Sequence, residues 1–291
     1  MRLRSPFRIA DRLRSLISRR PEVILYGVVG FLIASYGVAY AIDIQNAFGL
    51  RDLLVQTLRV PYFWFYWFQA PVENPLQWLL LGSVVIVFAM IAGGARGEAR
   101  RSERRFGLFM AIGFLLMLVE DAGDVRHVYR TIIEAFFGGG SYAIEETYGV
   151  VGTLFELSYF AIIAGVISFA LFRYRAIYWG DVTVRRYFAG GFVLYAVAVG
   201  SSWLGNAFRA VTGFRDVYTV AGEWATARLF LARSDTREIF ERSNATLRDS
   251  GMHPLEFAFV DRVYEESLEL LGAASFLVAA LVLYRVIQER R

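Results

Sequence analysis

The sequence lacks two residue types on which many cofactors and covalent reactions depend. It contains no cysteine, which excludes disulfides, thiolate metal sites, iron–sulfur clusters and c-type haem attachment. It also contains no lysine, so every basic side chain is an arginine. Because a Schiff base needs a lysine amine, retinal and pyridoxal phosphate are excluded as well. The remaining chemistry rests on oxygen ligands, imidazole and guanidinium.

Histidine is nearly absent, since only His127 and His253 occur. A metal site would therefore depend mainly on carboxylate oxygens, which favours a hard or borderline divalent cation of unspecified identity. A haem held between the two histidines is the alternative that their number still permits. His253, which precedes Pro254 at the end of a loop, is interpreted as structural.

What the chain has in abundance is apolar surface. Hydrophobic residues make up 56% of it and aromatic residues 16%, more than an ordinary soluble domain carries. Apolar runs long enough to cross about 30 Å of hydrocarbon cover residues 22–43, 75–94, 106–129, 147–173, 186–211 and 255–285. The predicted fold is all-α, a polytopic membrane bundle of six transmembrane helices.

The arginines predict how this bundle is oriented. They cluster in the N-terminal arm, after the second and fourth spans, and at the C-terminal end, which all lie on one side. By the positive-inside rule both termini are cytoplasmic. The net charge of +4 is explained by these loops, so no nucleic-acid partner is predicted. The predicted location is the cytoplasmic (inner) membrane of a prokaryote, with the lipid bilayer as partner.

Two segments outside the spans carry further predictions. Residues 1–20 resemble a basic amphipathic segment at an anionic membrane surface, followed by a single transmembrane domain over 21–291. Its external loop, about 212–254, is predicted to be a lid with one helix near 217–232 and another after Asp235. The Asp235/Glu238 spacing resembles a capping box.

The aromatic block at 61–68 is predicted to be an interfacial belt. A wall that binds a lipid or a quinone is the alternative for the same residues. Either interpretation places these rings near the outer surface of the bilayer.

Ionisable residues recur at helical spacing inside the last four spans. In the third span Glu120, Asp124 and His127 share one face, while Asp121 points elsewhere. Counting along each span puts the polar groups at matching levels in the outer half of the bundle. The predicted cation ligands are Glu120, Asp124, His127, Glu156, Glu265 and Glu269, supported by Ser202, Asn206, Arg126, Arg209 and Arg262.

These carboxylates are expected to face the bundle interior, because a carboxylate exposed to lipid is costly. Several of them close together cannot all stay charged and unpaired, so they need a cation, shared protons or arginine partners. A rim of salt bridges made by Arg126, Arg209 and Arg262 is the purely structural alternative. The inner halves of these spans contain no charged residue, which predicts a half-depth site with an apolar floor.

The sequence therefore predicts an outward-facing carboxylate and histidine site for a cation, with a divalent metal ion as one occupant. One hypothesis is a membrane-embedded enzyme that acts on a lipid or small amphiphile at the outer face. A cation- or proton-coupled transporter or channel is the first alternative, and a structural or assembly subunit the second. Neither the reaction nor the oligomeric state follows from the sequence.

Overall fold

In the computed structural model the described residues are 19–57, 63–68, 72–95, 97–123, 125, 128–129, 132, 149–212 and 217–290. Across these ranges the chain is helical and forms no strand, so the predicted all-α class is confirmed. The helices are α1 (Glu22–Ala39), α2 (Leu50–Thr57), α3 (Trp64–Phe68), α4 (Asn74–Gly94), α5 (Arg101–Gly123), α6 (Gly149–Arg173), α7 (Val182–Thr212), α8 (Val217–Leu229), α9 (Ser234–Asp249), α10 (Leu255–Phe259) and α11 (Glu266–Glu289). One π-helical turn, Tyr40–Ile44, continues α1, and another, Val260–Glu265, joins α10 to α11.

Six helices within the described residues are long and apolar enough to span a membrane. They are Glu22–Ile44, Asn74–Gly94, Arg101–Gly123, Glu156–Arg173, Val182–Leu204 and Leu255–Glu289. These helices correspond to the six predicted runs, so the protein is an integral membrane protein. Its orientation in the membrane remains a prediction.

The two ends of the bundle differ in charge. At one end, Arg285 donates to the Arg19 carbonyl oxygen at 3.1 Å, and Arg290 donates to that of Ile177 at 3.4 Å. We call this the arginine end, and it is the end predicted to be cytoplasmic. The opposite end, which contains Asp43 and Glu265, is called the acidic end.

Helix α11 lies at the centre of the bundle. It packs against α1, α4 and α7, and it is the most completely buried of the spans. Helices α4 and α5 pair beside it through Gly107, where a β-carbon would lie 2.8 Å from both the Ala92 nitrogen and the Phe88 carbonyl oxygen. The missing side chain permits this close backbone approach, as is common between membrane helices.

Four aromatic rings pack against one another inside the spans. The ring centroids of Phe88 and Phe114 are 5.7 Å apart, those of Phe114 and Phe276 are 4.9 Å apart, and those of Phe276 and Phe192 are 4.8 Å apart. We call these four residues the aromatic floor. They come from α4, α5, α7 and α11, so the floor joins four spans.

A second apolar core lies at the acidic end and is called the aromatic cap. Phe63 and Phe65 are buried there against Phe230 and Phe240, with ring centroids 5.1 Å apart for Phe63 and Phe230 and 5.3 Å apart for Phe230 and Phe240. The prediction of an interfacial belt is therefore wrong for Phe63 and Phe65. The reason is that α9 and the residue after α8 supply a complementary apolar surface.

Two buried polar side chains tie the cap together. The Asp43 carboxylate accepts from the backbone nitrogens of Trp64 at 2.6 Å and Phe65 at 3.1 Å, which anchors the start of α3. Arg51, only 1% exposed, donates to Thr236 at 2.7 Å and to Asp43's carbonyl oxygen at 3.3 Å. These bonds connect α1, α2 and α9.

Helices α8 and α9 are present where the two loop helices were predicted, but the predicted capping box is wrong. Helix α9 begins at Ser234, and no side chain among the described residues caps it. Asp235 instead accepts from Arg51 at 3.0 Å. This hydrogen bond lowers the pKa of Asp235 to about 2.

Candidate functional site

Hydrogen-bonded side chains cross the bundle at the acidic end. We call this group the polar layer. It comprises Tyr36 on α1, Glu73 and Gln77 at the start of α4, Tyr195 on α7, and Ser267 and Glu269 on α11. On α11, Phe276 of the aromatic floor lies about two turns beyond Glu269. The layer is therefore bounded by the floor on the side of the arginine end.

One connection in the layer runs from α1 through α11 to Glu73. The Ser267 hydroxyl donates to Glu73 Oε1 at 3.0 Å. The Tyr36 hydroxyl forms a short hydrogen bond with the Ser267 hydroxyl and also donates to the Val263 carbonyl oxygen at 3.1 Å. Glu73 is 1% exposed, and burial raises its pKa to about 7. Its carboxyl group therefore gains or loses a proton near neutral pH.

The second connection links α4, α11 and α7 through a buried amide. Gln77 Nε2 donates to Glu269 Oε2 at 2.9 Å and to the Tyr195 hydroxyl at 3.3 Å. Gln77 lies about one turn after Glu73 on the same helix face. Both connections therefore include a side chain at the start of α4 and a side chain of α11. The first also reaches α1, and the second also reaches α7.

Several carboxylates surround these connections. Glu266 interacts electrostatically with Glu269, Asp121, Asp261 and Glu265. Asp121 also interacts with Tyr195 on α7. Asp121 was predicted to lie off the face that carries Glu120, and these interactions place it toward α7 and α11.

The predicted ligands on α5 and α6 lie near Tyr159 of α6. Glu120 is buried and interacts with Tyr159 of α6, and Glu156 is buried about one turn before Tyr159. Glu265 and Glu269, the predicted ligands at the start of α11, are buried as well.

The remaining predicted residues have different outcomes. Asp124, Arg126 and His127 lie outside the described residues, as do the side chains of Asn206 and Arg209. Ser202 is half-buried on α7. Arg262 lies 4.1 Å from the ring centroid of Tyr66 and donates to the Tyr66 carbonyl oxygen, so it faces the aromatic cap.

The predicted metal centre is not assembled within the part of the chain that the structure describes. Among those residues, no group of three or more histidine, aspartate and glutamate side chains is arranged to hold a metal ion. Two of the predicted ligands, Asp124 and His127, lie outside it. The divalent metal therefore stays a prediction.

Sequence reasoning missed the part of the layer that α1 and α4 provide. Glu73 and Gln77 are four residues apart at the start of a span, the spacing of one helix face. Pro75 between them is compatible with the first turn of a helix, so this pair was a usable signal. Tyr36 gave none, because tyrosines are frequent throughout these spans.

Together, the fold and the polar layer define a class, an integral membrane protein with buried carboxylates near one end of its helices. Comparisons of this chain with models of known families, with curated proteins and with solved structures gave no match. The function is therefore inferred from the residues themselves.

Proposed function

We propose that this integral membrane protein binds a cation, either a divalent metal ion or protons, in the polar layer. The observation that carries the proposal is the electrostatic interaction of Glu266 with Asp121, Glu265 and Glu269. Glu269 in turn accepts from the buried Gln77 amide of the layer. Carboxylates that interact in a medium of low dielectric constant cannot all be charged at once. A bound cation or shared protons would neutralise them, and a set of oxygen donors favours hard cations.

The aromatic floor supports a binding site that is reached from the acidic end. Phe88, Phe114 and Phe276 are completely buried, and a pathway across the bilayer needs polar groups along its length. Transport through this bundle would require the floor to open. Transport, by a transporter or a channel, is therefore the alternative to a cation-binding function.

A membrane-embedded enzyme is the second candidate, and Glu73 favours it. A carboxyl group whose pKa is about 7 is suited to act as a general base at neutral pH. Its substrate would be a lipid-like molecule or a small amphiphile that enters from the acidic end. Arg262, one of the predicted supporting residues, lies over the ring of Tyr66.

Location and orientation belong to the same proposal. The arginines at one end support an inner membrane of a prokaryote with that end in the cytoplasm. The polar layer would then lie in the outer half of the bilayer.

Calorimetric titration of the detergent-solubilised protein with manganese, calcium and magnesium tests the proposal, together with a proton titration across the neutral range. We expect one class of cation site or the uptake of protons by the layer. Glu266→Gln and Glu269→Gln should weaken either signal about tenfold or more, since each removes over about 1.4 kcal/mol of charge interaction. Glu98→Gln, at an exposed carboxylate of the arginine end, is the matched control and should change nothing.

The proposal fails if the wild-type protein binds none of these ions and titrates like the Glu266→Gln/Glu269→Gln double variant. Flux in liposomes that is lost in Glu156→Gln would favour the transporter. Turnover of a lipid that is lost in Glu73→Gln would favour the enzyme, and a reproducible co-purifying protein would favour the assembly subunit.

A further inference from the structure

Helices α8 and α9 follow one another in the chain, but the exposed face of α8 is mainly apolar and that of α9 is mainly charged. On α8 the exposed residues include Val217, Val220 and Trp224, and Trp224 is 64% exposed. The exposed residues of α9 are mostly charged and include Arg237, Glu238, Glu241, Arg242 and Arg248. A contiguous apolar face on a short helix indicates a surface that lipid or protein covers.

The depth of α8 is set by its contact with α7. The hydroxyl groups of Tyr218 and Ser201 are 3.0 Å apart, and Ser201 lies within the span Val182–Leu204. Helix α7 continues to Thr212, roughly 16 Å further along its axis. The first turn of α8 therefore lies beside the part of α7 that spans the membrane, not beyond its end.

The inward face of α8 packs against the beginning of another span. A β-carbon at Gly222 would overlap the Glu256 carbonyl oxygen, so the two backbones touch. The ring centroids of Tyr218 and Phe257 are 5.8 Å apart. Glu256 and Phe257 belong to α10, which lies within the span Leu255–Glu289. At about 1.5 Å per residue this 35-residue helix is longer than the hydrocarbon layer, so α10 at its start lies at the membrane boundary beside α8.

The exposed side of α8 also carries a basic group in the arrangement typical of a membrane interface. The Arg228 guanidinium lies 4.0 Å from the ring centroid of Trp224 and donates to the Trp224 carbonyl oxygen at 3.1 Å. Tryptophan and arginine side chains commonly meet the headgroup region in this way, with the apolar parts in lipid and the charge toward phosphate.

We propose that α8 is an interfacial helix whose outward face is covered by the lipid leaflet at the acidic end, while α9 stands in water. Lipid is the occupant because the two chain segments that contact α8 also expose apolar side chains at this end, Leu204 of α7 and Tyr264 after α10. The inward face of α8 carries Tyr218 next to Glu265 and Asp261. Helix α8 therefore separates the lipid from the acidic π-helical turn.

Single spin-labelled cysteines test this placement directly, since the chain has no cysteine of its own. Val220→Cys and Trp224→Cys report on α8, and Glu241→Cys on α9 is the control. In phosphatidylcholine and phosphatidylglycerol vesicles we expect the α8 labels to collide more with oxygen than with a water-soluble nickel chelate. The label on α9 should show the reverse.

Two results of that measurement overturn the proposal. Equal exposure to the nickel chelate at all three positions would place α8 in water. Low collision with both relaxation agents at Val220→Cys and Trp224→Cys would mean that protein, such as a second copy, covers the face. Should the cysteine variants fail to fold, brominated lipids provide a second readout. Trp224→Phe should lose part of the quenched tryptophan fluorescence, and an unchanged quenched fraction would contradict the proposal.

Discussion

The aromatic floor and the aromatic cap are built from the same residue in different surroundings. Ring centroids within each are about 5 to 6 Å apart. The floor lies inside the spans, where an unassembled helix already has apolar neighbours, so dispersion and fit hold it together. The cap lies outside the spans and is bordered by Asp43 and Arg51. We therefore expect water exclusion and polar anchoring to stabilise the cap in addition to packing.

The largest effect that separates the two cores should come from truncating one phenylalanine in each. Phe240→Ala in the cap should lower the free energy of unfolding by about 3–5 kcal/mol, since both the transfer term and the cavity term are lost. Phe276→Ala in the floor should cost less, about 1–3 kcal/mol, because the transfer term is small between lipid and protein. Thermal unfolding in detergent, with Phe172→Ala as the exposed control, measures both losses. Equal losses in the free energy of unfolding would show that the same forces stabilise the cap and the floor.

A smaller effect is expected from the buried guanidinium of the cap. Arg51→Met should cost about 2–3 kcal/mol, because Thr236 and the Asp43 carbonyl group lose a donor inside the protein. Asp235→Asn should cost less, since that side chain is 47% exposed and water replaces the lost pair. Chemical unfolding monitored by tryptophan fluorescence compares the variants, with exposed Arg242→Met as the control. If Arg51→Met is as stable as that control, the polar anchor contributes nothing.

The smallest effect is the pH dependence that Glu73 contributes from the polar layer. The pKa of Glu73 is about 7 when folded against an ordinary value of 4.5, so the folded state binds the proton more tightly. The contribution of Glu73 to stability should be complete below about pH 4.5 and be lost as the pH rises through about pH 7. Between pH 7 and pH 6 the gain on acidification is about 1 kcal/mol.

Melting temperatures of the wild-type protein and of Glu73→Gln across this range isolate that contribution. The variant should lose the part of the pH dependence that Glu73 contributes, so its melting temperature should change less between pH 6 and pH 7 than that of the wild-type protein. An identical slope in both proteins would assign the effect to another group, and a slope of opposite sign would contradict the burial argument.

Hydropathy predicted the six spans because each helix depends on its own residues being apolar over a sufficient length. The two helices of the loop, α8 and α9, were predicted for the same local reason. Local signals fail where a distant residue competes. Asp235 had the spacing of a capping residue, but its carboxylate accepts a hydrogen bond from Arg51 instead. Phe63 and Phe65 had the composition of a lipid-facing belt, yet α9 covers them.

The candidate site was predicted only in part, since periodicity gives the faces of a helix but not their neighbours. Glu269 was assigned correctly to a buried face, while its partner Gln77 comes from a helix distant in sequence. Glu120 and Asp121 are adjacent, so a rotation of about 100° decides which of them faces α11. That rotation depends on how α5 packs against its neighbours, as at Gly107. The periodicity of the polar residues alone does not predict it.

The central position of α11 has a consequence for how the membrane protein is made. Chains are synthesised from the N-terminus, so the other five spans exist before α11 does. Until it arrives, Glu73 and Gln77 have neither Ser267 nor Glu269 to bind, and the bilayer penalises such uncovered polar groups. We therefore expect the insertion of α11 to complete both the apolar core and the polar layer.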